Sequence, residues 1–354
     1  MTRSGRSRFE QEIREQPAAL ARLLGAGRAA IEAAAGAVRA FQPRFVVTAA
    51  RGSSDNAARY AKYLFGARNR WVVSLGAPSL ITLYDAAPSL AGALVLGISQ
   101  SGESPDIVAL VEEGRRQGAL TVALCNQPDS PLARASAHLI DLHAGPEQSI
   151  AASKSYTAEL LALAMLSAAV DGDAASGAAL DAVPDAVELT LANATPLLND
   201  AMLAPFVMAD RMVVVGRGFN FATAFEAALK IKETSGVPAE AHATPDLFHG
   251  PVTMIEAGFP ALVVAQSGAV FEDTVRALRA IAARGAEILV ISDQLWLPTD
   301  LAPRGQFLTA PGVPEWLSPI TAIVPGQLLA LAIASARGRD PDRPAGLAKV
   351  TRTR

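Results

Sequence analysis

The sequence repeats itself. "RFVVTAARGSSDNAARYAKYLFG", from Arg44, and "RMVVVGRGFNFATAFEAALKIKE", from Arg211, each run an apolar strand pattern through Arg-Gly into a helical pattern. The likeness continues downstream at nearly the same offset. "GALVLGISQSGESPDIVALVEEGRRQGALTVALCN" (92–126) lines up with "PALVVAQSGAVFEDTVRALRAIAARGAEILVISD" (260–293), each reading as strand, loop, helix and strand. Such an offset implies one βαβ-rich unit used twice. Solid apolar strand runs belong in a parallel sheet covered on both faces, so the expected class is α/β, two tandem doubly wound domains.

The 354 residues suffice for two cores, and 51% apolar content with 5% aromatics suits alanine- and valine-rich layers. The expected division is a helical segment over 1–40, a first domain over 41–200, a second over 201–338, and a Pro-, Gly- and charge-rich tail over 339–354. Lys plus Arg total 31 against 34 for Asp plus Glu, and a net charge of −3 gives no reason to expect nucleic acid or an anionic membrane as partner. The N-terminus "MTRSGRSRFEQEIREQP" has no apolar core and does not read as a secretory signal. "LLALAMLSAAV" (160–170) is too short to span a bilayer, and "LSPITAIVPGQLLALAIASA" (317–336) carries Pro319, Pro325 and Gln327. Both read as buried helices, and a soluble, cytoplasmic protein is expected. The lone Cys125 rules out an internal disulfide and fits a reducing compartment.

The loop "GISQSGES" (97–104) joins an apolar strand to a helix. A helix start has unpaired N–H groups and the positive end of the helix dipole, and serine hydroxyls donate to phosphate oxygens without adding counter-charge. Ser104, before Pro105, reads as the N-cap. Ser99, Gln100, Ser101 and Ser104 can therefore cup a phosphate, with Ser53 and Ser54 of "ARGSSDNAAR" at a second strand end. A plain tight turn with a capped helix uses the same residues. The second copy reads "AQSGAVFEDT" there, so the connection does not demand the serine density of the first.

The loop "SQSGES", the turn "RGSSDNA", "ALKIKETSGVPAEAHATPDLFHGP" (228–251), the tail "RPAGLAK" (343–349) and "EIREQPAAL" near the start together resemble the sugar isomerase (SIS) domain family. The nearest likeness is to the two-domain isomerase half of glucosamine-6-phosphate synthase and to stand-alone SIS-type glucosamine-6-phosphate deaminases. The resemblance implies two tandem flavodoxin-like SIS domains and a cytoplasmic homodimer. It implies that Ser54, Ser99, Gln100, Ser101 and Ser104, with Ser53 beside them, hold a sugar phosphate. Glu233 would move a proton between C1 and C2, and Lys230 would support it. His249 would open the sugar ring from the neighbouring subunit, and Lys349 would supply the amine that meets the open-chain carbonyl.

Each role has its own chemistry. A carboxylate fixed on a helix can shuttle a proton between adjacent carbons, although Glu233 also reads as a helix residue paired with a lysine. Ring opening needs a group that titrates near neutrality, although a histidine such as His249 is also a common structural residue. A lysine in a terminal tail is ordinarily solvated, but the apolar neighbours in "GLAKV" allow Lys349 to dock, and a desolvated amine is nucleophilic. Lys154 is a further residue for the rim, or a structural one.

Two features depart from the synthase pattern. No glutaminase nucleophile is expected, since position 2 is Thr2 and Cys125 ends a strand, so the chain reads as one that releases ammonia from glucosamine 6-phosphate to give fructose 6-phosphate. Ala152 stands where the synthase half carries a serine toward the sugar, leaving Ala152 and Ser153 as weak sugar contacts and the exact sugar open. A fructosamine-6-phosphate deglycase is the nearest alternative, and a non-catalytic sugar-phosphate sensor the alternative from another class. His138, His143, His242 and His249 show no ligand spacing, so no metal is expected, and without G-x-G-x-x-G no nucleotide cofactor is either.

Overall fold

The computed structural model describes residues 6–298, 300–301 and 303–349; Thr2 and the end of the tail, 350–354, lie outside them. The first copy contributes β1 (Phe45–Ala49), β2 (Val73–Leu75), β3 (Ala93–Ser99), β4 (Leu120–Cys125) and β5 (His138–Asp141), all parallel, in the order β2-β1-β3-β4-β5. The second contributes β6 (Met212–Gly216), β7 (Ala239–Ala243), β8 (Pro260–Val264), β9 (Glu287–Ser292) and β10 (Gly305–Leu308), in the order β7-β6-β8-β9-β10. The permutation is the same, as the internal repeat requires. The two parallel sheets are therefore of the expected α/β class.

Burial follows sequence strand by strand. The uniformly apolar β3, β6 and β8 are buried at every position and lie inside their sheets. The mixed β2, β5, β7 and β10 are the edges. Helices then seal the faces through i, i+3, i+4 stripes. Ile107, Leu110 and Val111 of the helix Pro105–Arg116 pack on Val47, Val95 and Ala123, and Leu278 and Ile281 of the helix Phe271–Ala282 pack on Val213, Val263 and Val290. The helix Ser318–Ala336 is long and apolar enough to cross a bilayer, yet 78% of its most apolar stretch is buried, which makes it a core helix here.

The described residues fall into two compact units. The first holds residues 18–147, 154–182 and 348–349, with β1–β5; the second holds 6–17, 148–153 and 183–347, with β6–β10. In the second unit the short helix Arg8–Arg14 is fixed by distant parts of the chain. Its Arg8 and Phe9 amides donate to Asp342, each at 2.9 Å, Glu12 accepts from the Gln148 and Ser149 amides, and Gln16 Nε2 donates to Gln327 Oε1 at 2.9 Å. Asp342 thus ties down a stretch whose composition alone reads as a loose tail.

Each unit repeats one charge pair at the same place. After β1 the chain turns through Arg51 and Gly52, and after β6 through Arg217 and Gly218; the glycines adopt φ +57° and +60°, which a side chain resists. That turn aims Arg51 at Asp106, with Nε and a terminal nitrogen each 2.9 Å from Oδ2. It aims Arg217 at Asp273, with Nε 2.9 Å from Oδ2. Asp273 also accepts from Thr244 Oγ1 and from Arg276. The Thr244 hydroxyl above all, with Arg276 and Arg217, holds the Asp273 carboxyl below the ordinary aspartate range. A depressed carboxyl stabilises the fold above its unfolded value, near 3.9, and the contribution disappears as pH falls through the folded value. Asp273→Asn is therefore expected to lower stability by ~1 kcal/mol at pH 7, with the gap to wild type closing below pH ~3, as read from urea midpoints across pH.

Candidate active site

β1 and β3 are parallel neighbours, paired from Phe45↔Ala93 to Ala49↔Gly97, so both strands end on one edge of the sheet. Strand order reverses between them. β2 lies on the far side of β1 and β4 on the far side of β3, which makes their carboxyl ends the switch point where ligands bind in sheets of this kind. From β1 the chain enters the helix Gly52–Ala67, and from β3 it passes through Ser99–Ser104 into Pro105–Arg116. The Arg51–Asp106 pair binds these two exits together.

The polar groups at this edge differ in burial. Ser54 is buried and its hydroxyl donates to the buried Glu159 Oε1 at 2.7 Å. Ser53, Gln100, Ser101 and Ser104 are partly exposed. Ser99 Oγ accepts from the Gly102 amide at 3.0 Å, and Ser101 Oγ from the Glu103 amide at 3.3 Å, closing the loop on its own hydroxyls. Ser104 occupies the N-cap position before Pro105, as its sequence suggests, but its hydroxyl makes no capping bond.

The same place in the second unit is filled. There the Ala269 amide donates to Glu315 Oε2 at 2.9 Å and the Ser267 amide to Asp293 Oδ1 at 2.8 Å. The matching first-unit amide, that of Glu103, has a neutral hydroxyl instead. One loop closes on neutral hydroxyls, and the other on carboxylates.

Elsewhere in the first unit, Lys349 Nζ lies 3.1 Å from Glu147 Oε2, so the tail amine is docked. Lys154 starts the helix Lys154–Asp171 and is buried. In the second unit Lys230 and Glu233 share the helix Phe221–Ser235. Lys230 is 1% exposed, with Nζ 2.5 Å from Glu233 Oε2 and 3.5 Å from the fully buried Glu226. Glu233 is thus the lysine-paired helix residue its spacing allows, and the lysine is buried. His249 is exposed just after the helix Thr244–Phe248, its amide donating to the Pro245 and Asp246 carbonyls. It makes no bond to the Lys230–Glu233 pair among the described residues. Ala152 is partly exposed and Ser153 buried, in the segment whose start is held by Glu12. Glu147, Glu159 and Asp106 were not legible as site residues, although an aspartate opening the post-loop helix in both copies was a signal for Asp106.

These features define a class: a two-copy α/β protein with a serine-rich loop at the switch point of one copy and a carboxylate-held loop in the other. The chain belongs to the SIS domain family, whose profile matches residues 41–169 and 206–334. It is 34% identical over 355 residues, 96% of its length, to a glutamine–fructose-6-phosphate aminotransferase (isomerizing) of Zymomonas mobilis, and spans 58% of that protein. A protein of the same description from Thermococcus kodakarensis is 35% identical and spanned to 57%. Among solved structures, a candidate phosphosugar isomerase from Silicibacter pomeroyi is 38% identical with TM-score 0.85, over 95% of this chain and 100% of that one. The C-terminal domain of glucosamine-fructose-6-phosphate aminotransferase from Francisella tularensis shares the fold at 24% identity, TM-score 0.82, over 96% and 99% of the two chains.

Gly102 sets the loop. It takes φ +65°, and a Cβ there would overlap Ser130 Oγ and come within 2.8 Å of Cys125 Sγ. Gly102→Ala is expected to destabilise the protein by roughly 2–4 kcal/mol, measured by thermal or urea unfolding.

Proposed function

We propose that the protein is an aminosugar-phosphate deaminase and isomerase that converts glucosamine 6-phosphate and water to fructose 6-phosphate and ammonia. The observation that carries the reading is the serine-rich loop of the first copy, whose Glu103 amide meets a neutral hydroxyl, set against a second copy whose matching Ala269 amide holds Glu315 and whose Ser267 amide holds Asp293. Ser53, Ser99, Gln100, Ser101 and Ser104 grip the phosphate through hydroxyls, the Gln100 amide and the helix N-terminus, with Ser54 and Glu159 behind them. His249, exposed in the single chain, assists ring opening in the neighbouring subunit of a homodimer. Glu233 takes the proton from C2 of the open aldose and returns it to C1, leaving an imine at C2. The Lys349 amine adds to that carbon and ammonia leaves; water then adds, and the ketose and free lysine separate.

Cys125 is buried at the end of β4, and burial pushes its thiol above the ordinary range. A buried thiol held in that range is a poor nucleophile. Lys230 completes the proton shuttle, because its buried ammonium keeps the Glu233 carboxylate oriented.

Glucosamine 6-phosphate incubated with the purified protein is expected to yield equimolar ammonia and fructose 6-phosphate. Release from N-substituted fructosamine 6-phosphates alone would make the protein a deglycase, and binding with no turnover of any aminosugar phosphate would make it a sensor. Glu233→Gln is expected to lower kcat by roughly 10²–10⁴-fold, with fructose 6-phosphate affinity by calorimetry unchanged within about threefold.

A further inference from the structure

We propose that Glu147 is a positioning residue for the tail lysine: a carboxylate built into a strained loop to dock Lys349 and set where the tail closes. The inference rests on the reading of Lys349 as the reactive amine. Nothing in the sequence singles Glu147 out, since it lies 202 positions from its partner.

The loop that carries Glu147 is held from both sides. It leaves β5 through His143, which adopts φ +49°, a region that non-glycine residues rarely occupy. The His143 amide donates to Asp141 Oδ1 at 2.9 Å, and Arg22 donates to the His143 carbonyl at 3.1 Å and the Ala144 carbonyl at 2.9 Å. Asn126 accepts from the Ala144 amide at 2.9 Å and donates to the Gly145 carbonyl at 2.8 Å. Backbone strain persists where the surroundings over-determine it, and it collects where geometry serves function. Two residues beyond this braced stretch stands Glu147.

Its carboxylate is fixed in turn. Oε1 accepts from the Ser155 amide at 3.0 Å, and Oε2 accepts from Ser155 Oγ at 2.7 Å, in the first turn of the helix Lys154–Asp171. The Glu147 side chain has no exposed surface, while that of Lys349 is 26% exposed. A buried carboxylate is costly without a cation, and the tail brings one to it, with Lys349 Nζ 3.1 Å from Oε2. The rigid partner is the acid and the movable partner is the amine. Glu147 therefore decides where Lys349 waits before a carbonyl reaches it.

The test is hydrogen exchange of the peptide over residues 344–349 in the substrate-free protein, combined with steady-state kinetics. Glu147→Gln is expected to raise exchange of that peptide about tenfold while the helix Lys154–Asp171 stays protected. It is expected to lower kcat about tenfold with KM within about threefold, because phosphate binding does not depend on it. Lys349→Met removes the other end of the pair without touching the loop, so it serves even if Glu147→Gln fails to fold; it should raise tail exchange equally, and the double variant no further. Tail exchange unchanged in Lys349→Met, or in a folded Glu147→Gln, overturns the proposal whatever the turnover. Exchange that rises as expected in a wild-type background with no aminosugar turnover leaves the docking intact and overturns the deaminase reading instead.

Discussion

The Arg51–Asp106 pair is the contact on which the open loop depends. Asp106 is completely buried, and Arg51 is about half exposed and reaches it because Gly52 turns the chain through positive φ. An unpaired buried carboxylate costs about 3–5 kcal/mol, so the pair holds the end of β1 against the start of the helix that follows β3. The serines on those two exits inherit their spacing from it. The second copy repeats the pair as Arg217–Asp273, reinforced by Thr244, which shows that the clamp belongs to the fold rather than to the ligand.

What differs between the copies is the loop. In the first, hydroxyls of Ser99 and Ser101 satisfy the Gly102 and Glu103 amides, bonds that an incoming phosphate can replace at little cost. In the second, Glu315 takes the Ala269 amide, which matches that of Glu103, and Asp293 takes the neighbouring Ser267 amide. A duplicated frame thus closes one loop with neutral hydroxyls and the other with carboxylates.

Much of this was legible in the sequence because the determining signals are local. Central strands of parallel sheets are solid apolar runs, so β1, β3, β6 and β8 stand out, and the repeated Arg-Gly turn marks where each first strand ends. The serine loop declares itself in six consecutive residues. The long-range polar contacts are another matter. Ser54 with Glu159, Glu147 with Lys349, and Asp342 with the Arg8 amide join residues 105, 202 and 334 positions apart, and each partner alone reads as an ordinary helix or tail residue. Glu233 shows the same ambiguity at short range. Its spacing from Lys230 admits a plain surface ion pair, and only the burial of that lysine distinguishes a fixed carboxylate from a solvated one.

The most direct test of the open-loop account is a calorimetric titration with fructose 6-phosphate of the wild type and of Ser101→Asp, which gives the first loop a carboxylate of its own as Glu315 does in the second. The account predicts one sugar phosphate bound per chain in the wild type and none in the variant. Two bound per chain, or binding undiminished in a folded Ser101→Asp protein, would contradict it.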